Sequence, residues 1–323
     1  MNLKRTLLVA ALPLVFALPG AASALTLKAS DTHPAGYPTV VAVEKMGKTL
    51  EAETKGDIKL QMFPGGVLGT EKEVVEQVQL GAIQMARVSL GVVGPVVPDV
   101  NVFNMPFVFR DEQHMRHVVD GPIGQEILDK ITQSDFELVA LGWMDGGTRN
   151  LYTKKPVRTP ADLKGMKIRV IGNPIFIDTM NAMGGNGIAM STGEVFSALQ
   201  TGVIDGAENN PPTLLEHNHF QVAKYYTLTG HLMIPELLVM SKVTWNKLTP
   251  EQQKLVKDAA RQAQMDERQL WDAKVASSNE KLKAAGVEYI TIDQKPFYDA
   301  TAPVREKYGA SYADLMKKIA AVE

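Results

Sequence analysis

The stretch TPEQQKLVKDAARQAQMDERQLWDAKVASSNEKLKAA, residues 249–285, decides how the rest of the chain must be arranged. Thr249-Pro250-Glu251-Gln252 reads as a helix start. Threonine followed by proline and an acidic residue is the pattern of a helix start. From there Ala, Gln, Lys and Glu, all strong helix formers, run almost unbroken to Ala285. Helices of globular proteins usually span roughly 8 to 20 residues. A pattern this long predicts a helix that bridges two lobes rather than sitting inside one.

Upstream the chain supplies material for those lobes. Leu25-Thr26-Leu27-Lys28-Ala29 reads as a strand, followed by the turn-rich Asp31-Thr32-His33-Pro34-Ala35-Gly36-Tyr37-Pro38 and an amphipathic helix to Thr54. Residues 58–63 alternate as a second strand. Gly65-Gly66 then turns toward a capping box, Thr70-Glu71-Lys72-Glu73, whose helix ends near Gly81, and residues 83–90 form a third strand. This β-α-β-α-β order predicts an open α/β sheet. Residues 136–143 add another apolar strand. A second cycle follows, with Thr159-Pro160 capping a short helix, Met166-Lys167-Ile168-Arg169-Val170 as a strand and Asn173-Pro174 opening a helix. Residues 187–190 form a short strand, and Ser191-Thr192-Gly193-Glu194 caps a helix to Thr201. The tail, residues 287–323, reads as one strand and two helices, and no internal repeat is visible.

Composition restricts the function classes. The 323 residues carry 34 basic and 36 acidic side chains, so a formal charge of −2 offers no broad basic field for nucleic acid or an anionic membrane. The absence of cysteine excludes disulfides, thiolate metal sites and cysteine nucleophiles. Lys4 and Arg5, the apolar run 6–18 and Ala22-Ser23-Ala24 form the three parts of a secretory signal peptide, cleaved after Ala24. Losing Lys4 and Arg5 takes the formal charge from −2 to −4. The mature chain is expected in the periplasm.

Enzyme motifs are missing: there is no H-E-x-x-H, no G-x-S-x-G and no Walker loop, and Gly185-Asn186-Gly187 lacks the third glycine of a dinucleotide fingerprint. Nothing asks for a cofactor or a metal. His217-Asn218-His219 reads as polar residues at a helix end, and His114 with His117 as one solvated helix face. Arg169 stands out, because an arginine within an apolar strand must find an anion or water, and its planar fork matches a carboxylate. Arg149, after the Gly146-Gly147-Thr148 turn, is a second positioned cation; a strand-end or internally paired arginine is the plain alternative for both. Asn209, in Ile204-Asp205-Gly206-Ala207-Glu208-Asn209, lies at the carboxyl end of a strand, where open α/β sheets place ligands.

Three blocks together resemble the DctP family, the solute-binding proteins of tripartite ATP-independent periplasmic (TRAP) transporters: Gly147-Thr148-Arg149, residues 161–170 and residues 194–209. The upstream Phe63-Pro64-Gly65-Gly66-Val67-Leu68-Gly69 and Met105-Pro106-Phe107-Val108-Phe109 match as well. The resemblance implies an α/β, two-lobed periplasmic-binding-protein fold with central mixed sheets and a ligand cleft between the lobes. The lobes it implies are residues 25–146 with 235–274, and 147–234 with 275–323. It gives Arg169 the salt bridge to a substrate carboxylate, assisted by Arg149 and Asn209, with Glu71 also reaching the ligand. Ser89 stands where sialic-acid binders have glutamate, which argues against that ligand.

The first turn, from Asp31 to Thr39, is similar to the H-P-x-G-Y-P-T form of family members that bind hexuronates such as glucuronate and galacturonate. On that likeness Arg169 and Arg149 hold the carboxylate, while Glu71, His33, Asn209 and Arg87 or Ser89 meet hydroxyls. Arg87 has two other readings: the second cation for a C4-dicarboxylate, or the partner of a neighbouring acid. Glu73 reads as the capping-box residue alone. The expected molecule is a monomer that hands an acid sugar to small and large TRAP permease subunits, with no catalytic step. The alternatives are the same role for a dicarboxylate or other organic acid, or a periplasmic uronate-processing enzyme with Glu71 or His33 as base.

Overall fold

The computed structural model describes residues 24–323, so residues 1–23 of the expected signal peptide lie outside the described residues. Strands β1 (Leu25–Ser30), β2 (Ile58–Phe63), β3 (Met85–Ser89), β4 (Leu138–Met144) and β10 (Glu236–Ser241) form one mixed sheet in the order β2-β1-β3-β10-β4. Here β1 runs parallel to β2 and β3, and β10 lies antiparallel between β3 and β4, with Glu236 opposite both Ser89 and Met144. The second sheet takes β5 (Thr148–Thr153), β6 (Lys167–Val170), β7 (Asn186–Ala189), β8 (Gly206–Asn209), β9 (Tyr225–Met233) and β11 (Glu288–Ile290), in the order β11-β9-β5-β8-β6-β7.

The chain passes between the sheets at two short connections, β4 to β5 and β9 to β10, and again along one helix. That helix, Pro250–Ala284, is 35 residues long, about 52 Å at 1.5 Å per residue. It starts where expected, on a capping box with Thr249 Oγ1 accepting from the Gln252 N–H and Gln252 Oε1 from the Thr249 N–H. Its Val256, Ala259, Ala260 and Ala263 are buried with Leu27, Val43 and Met240 of the first lobe, whereas Leu282 is buried with Tyr152, Leu199 and Tyr226 of the second. The bridge is therefore held by apolar burial at both ends, the largest favourable contribution to folding.

Short polar signals set the element boundaries. Thr70 with Glu73 and Thr159 with Asp162 form complete capping boxes, and the Asn173 side chain accepts from the Ile175 N–H at the start of Pro174–Ala182. Two expectations need correction. The tail folds into three α-helices, Lys295–Ala300, Ala302–Gly309 and Ala313–Ala320, where two were expected, with Pro303 in the first turn of the second. His114 is buried rather than solvated: Nδ1 accepts from the Arg110 N–H and Nε2 meets the Ile319 carbonyl at 2.9 Å. His117 remains exposed. Among the described residues no helix is long and apolar enough to cross a membrane.

Candidate functional site

A cavity of about 960 Å³ opens between the two sheets at the carboxyl ends of the parallel strands. Thr32, Gly66 and Glu71 line it from the first lobe, and Arg169, Thr192 and His217 from the second. Only 2% of Arg169 is exposed, yet no carboxylate of the described residues lies within ion-pair distance. Its Nε donates to the Met190 carbonyl at 2.8 Å and Nη2 to Thr192 Oγ1 at 3.2 Å. Strand β6 places it there because Ile168 and Val170, on either side, are buried in the apolar core. Alternation then turns Arg169 to the other face, as period 2 requires. Burial depresses the guanidinium's pKa, which marks a desolvated cation whose charge is incompletely compensated.

The two other buried arginines are already paired. Arg149 holds Glu208 in a two-pronged contact, Nε to Oε2 at 2.6 Å and Nη2 to Oε1 at 2.8 Å, and Nη1 donates to Asn209 Oδ1 at 3.1 Å. Arg87 meets three carboxylates: Asp31 through Nε and Nη2, and Glu71 and Glu236 through Nη1 at 3.0 and 2.8 Å. Each sheet thus buries a neutralised guanidinium, the arrangement that a desolvated charge requires. One arginine's charge divided among three acids cannot hold them all ionised equally well. Burial, with Glu71 as a like charge nearby, pushes the Glu236 carboxyl up to about 7.

The remaining expected residues fall into two groups. Glu71 lines the cavity while its Oε1 accepts from Arg87 and from the Ser89 N–H at 3.2 Å. Asn209 is buried with its amide oxygen taken by Arg149 and by the Asn210 N–H, leaving its NH₂ group without a protein partner among the described residues. Ser89 Oγ accepts from the Gly91 N–H and caps the short helix Leu90–Val93. His33 lies behind the cavity wall, stacked on Tyr37 at 3.8 Å with Nδ1 3.2 Å from His217 Nε2. Glu73 has its capping role, accepting the Thr70 N–H at 2.8 Å, and it also borders the cavity.

Sequence reasoning missed four participants. Asp31 and Glu236 neutralise Arg87, and Glu208 neutralises Arg149. Glu208 was signalled by its place beside Asn209, and Asp31 by heading the first turn; Glu236 carried no signal, since only strand pairing brings it to Ser89. His217 is the fourth. The reading of His217-Asn218-His219 as merely polar helix-end residues is corrected: His217 lines the cavity, and His219 is buried with Nδ1 2.8 Å from the Tyr152 hydroxyl. Burial holds both imidazoles neutral, His217 down to about 4 and His219 to about 3.

Residues 29–312 match the family model described as bacterial extracellular solute-binding protein, family 7 (DctP). The chain belongs to this family. DctP proteins are transport binding proteins and not enzymes. This solute-binding protein is 77% identical to a TRAP periplasmic solute binding protein from Pseudomonas putida F1 solved with bound D-glucuronate; the match covers 93% of this chain and 98% of that one, with a TM-score of 0.92. A Xanthobacter autotrophicus Py2 protein with bound β-D-galacturonate is 43% identical, covers 92% of this chain and 100% of its own, and gives 0.89. A Citrobacter koseri protein with bound D-glucuronate is 54% identical over 92% of this chain and 99% of its own, with a TM-score of 0.91. Its apo, open structure gives 0.82, at 53% identity over 92% of this chain and 98% of its own. The DctP chain described here is thus nearer the ligand-bound arrangement.

Proposed function

We propose that this protein captures a hexuronate of the D-glucuronate or D-galacturonate class in the periplasm and delivers it to TRAP permease subunits. The observation that carries this reading is Arg169, a guanidinium 2% exposed, facing the cavity, with no carboxylate partner among the described residues. A buried cation without its anion favours a ligand that brings one. Because Arg87 and Arg149 are already committed to Asp31, Glu71, Glu236 and Glu208, Arg169 is the one buried arginine left for a ligand anion; Lys72, which also lines the cavity, is exposed to water. That supports one carboxylate rather than the two of a C4-dicarboxylate.

The rest of the ligand meets oxygen and nitrogen atoms. Glu71 and Thr192, which line the cavity, offer a donor and acceptors suited to ring hydroxyls, each of which a ligand lacking that hydroxyl leaves unpaired; Asn209 is buried beside Arg149 and is not among the lining residues. Arg149 and Asn209 assist Arg169, and Arg87 works indirectly by orienting Glu71. Ser89 and His33 belong to the supporting layer. Affinity and lobe closure make up the mechanism: the ligand binds both lobes at once only when they approach, so it shifts the population toward the closed form. On this reading the chain is exported, cleaved after Ala24 and works as a monomer, with lobes at residues 25–146 plus 235–274 and 147–234 plus 275–323.

The test is a calorimetric and thermal-shift titration with D-glucuronate, D-galacturonate, succinate and sialic acid, the products being followed by NMR. The expected result is tight binding of a hexuronate, recovered unchanged. Saturation at 100 times Kd raises stability by about 2.7 kcal/mol. Preference for succinate, or conversion of the uronate, overturns the reading.

A further inference from the structure

The His33–His217 contact joins the lobes at the side of the cavity, and the roles described so far leave it unused. His33 comes from the turn after β1, and His217 from the end of the helix Pro211–Glu216 in the second lobe. That helix end is held three times: by Tyr37 Oη and Thr213 Oγ1 at 3.2 Å, by the two imidazoles at 3.2 Å, and by Lys274 of the long helix on Glu216. His217 lines the cavity alongside Arg169 and Glu71, and its Nδ1 has no protein partner among the described residues. His33 faces Tyr37 ring to ring, with planes 7° apart, which leaves its Nδ1 edge-on to His217.

We propose that His217 is a specificity-determining ligand residue that meets a sugar hydroxyl through Nδ1, and that His33 is the positioning residue that fixes its ring and tautomer. This rests on the hexuronate reading above and deepens it. Two neutral imidazoles joined nitrogen to nitrogen share one proton, so whichever nitrogen donates determines the character of the other pair. If His33 Nδ1 donates, His217 carries its proton on Nδ1 and presents a donor; if His217 Nε2 donates, its Nδ1 presents an acceptor. In both cases His33 decides what His217 offers. Burial and the nearby Arg169 and Arg87 cations keep His217 neutral, so this choice persists at physiological pH.

The geometry separates the two nitrogens experimentally, because an asparagine amide falls near the Nδ1 position of histidine and a glutamine amide near Nε2. Calorimetry with D-glucuronate and D-galacturonate on the full mature chain compares His217→Asn, His217→Gln, His217→Phe and His33→Phe. The last keeps a ring against Tyr37 and removes only the hydrogen bond. Expected are at least tenfold losses of affinity for the better hexuronate in His217→Phe, His217→Gln and His33→Phe, and a loss below about threefold in His217→Asn. The double variant His33→Phe/His217→Phe loses no more than His217→Phe alone, because His33 acts through His217. Melting of the unliganded variants reports folding separately. Affinity within threefold of wild type in His217→Phe, additive losses in the double variant, or recovery by Gln in place of Asn overturns the inference while leaving the hexuronate reading intact. A wild type that binds neither uronate overturns both.

Discussion

Arg149 and Glu208 face each other across β5 and β8 in a two-pronged pair with no exposed edge on the glutamate, whereas Arg169, on the next strand of the same sheet, has no such partner. The contrast separates an arginine neutralised within the fold from one left without a carboxylate among the described residues, the one proposed above to meet a ligand. Removing one half of a buried pair leaves a desolvated charge, which costs about 3–5 kcal/mol. Glu208→Ala is therefore expected to lower stability by that order in denaturant unfolding, and Arg149→Met/Glu208→Met to recover most of it. Equal stability of the single and double variants would contradict the pairing.

Arg169 has the opposite signature. Arg169→Met leaves the unliganded protein at least as stable as wild type, because a buried cation without a counter-charge is replaced by an apolar side chain of similar length. Binding is lost at the same time, on the order of 3–5 kcal/mol if the pair is desolvated. Thermal melting and calorimetry on one preparation check both halves; a large drop in melting temperature, or near-normal affinity, would remove Arg169 from its assigned role.

Glu236 makes stability depend on pH. Its carboxyl is pushed from 4.5 to about 7 by burial and by Glu71, against the opposing pull of Arg87 and Arg149. Between those values the folded state holds a proton that the unfolded chain has released, so this group's contribution falls as pH rises from about 4.5 to 7 and is level above. The total is on the order of 3 kcal/mol. The buried neutral histidines, His33, His217, His219 and His231, act in the reverse sense. The difference between wild type and Glu236→Gln, measured by urea unfolding from pH 4.5 to 8, isolates the glutamate; a difference independent of pH would refute its assignment.

Gly147 sits in the β4-to-β5 connection with φ +64°, and a Cβ there would lie 2.6 Å from Trp271 Cζ2 of the long helix. Gly147→Ala combines a left-handed backbone cost with overpacking, about 2 kcal/mol or more together. Since the residue joins the lobes beside the bridging helix, ligand-driven closure is expected to weaken with stability, read as a smaller change in small-angle scattering radius on adding D-glucuronate. An alanine variant with wild-type melting and closure would contradict this expectation.

What could be read from the chain in one dimension was local. Helix starts at Thr70, Thr159 and Thr249, the alternation that buries Ile168 and Val170, and the helix too long for one lobe each depend on neighbours within a few residues. Short-range hydrogen bonds and periodic burial suffice to specify such features. The position of Arg169 followed from the same alternation, together with the family likeness.

Which charges are spent and which are free was decided only in three dimensions. Asp31, Glu71 and Glu236 lie far apart in the chain, and parallel and antiparallel strand pairing gathers them on Arg87. The same folding joins His33 to His217 across 184 residues. A buried charge is governed by whatever stands within a few ångströms of it, because the low-dielectric interior amplifies near partners and excludes the water that would otherwise substitute for them. Sequence alone therefore determined two lobes, a bridge and a cationic strand, while tertiary structure decided that two of three buried arginines are paired with carboxylates and one, among the described residues, is not.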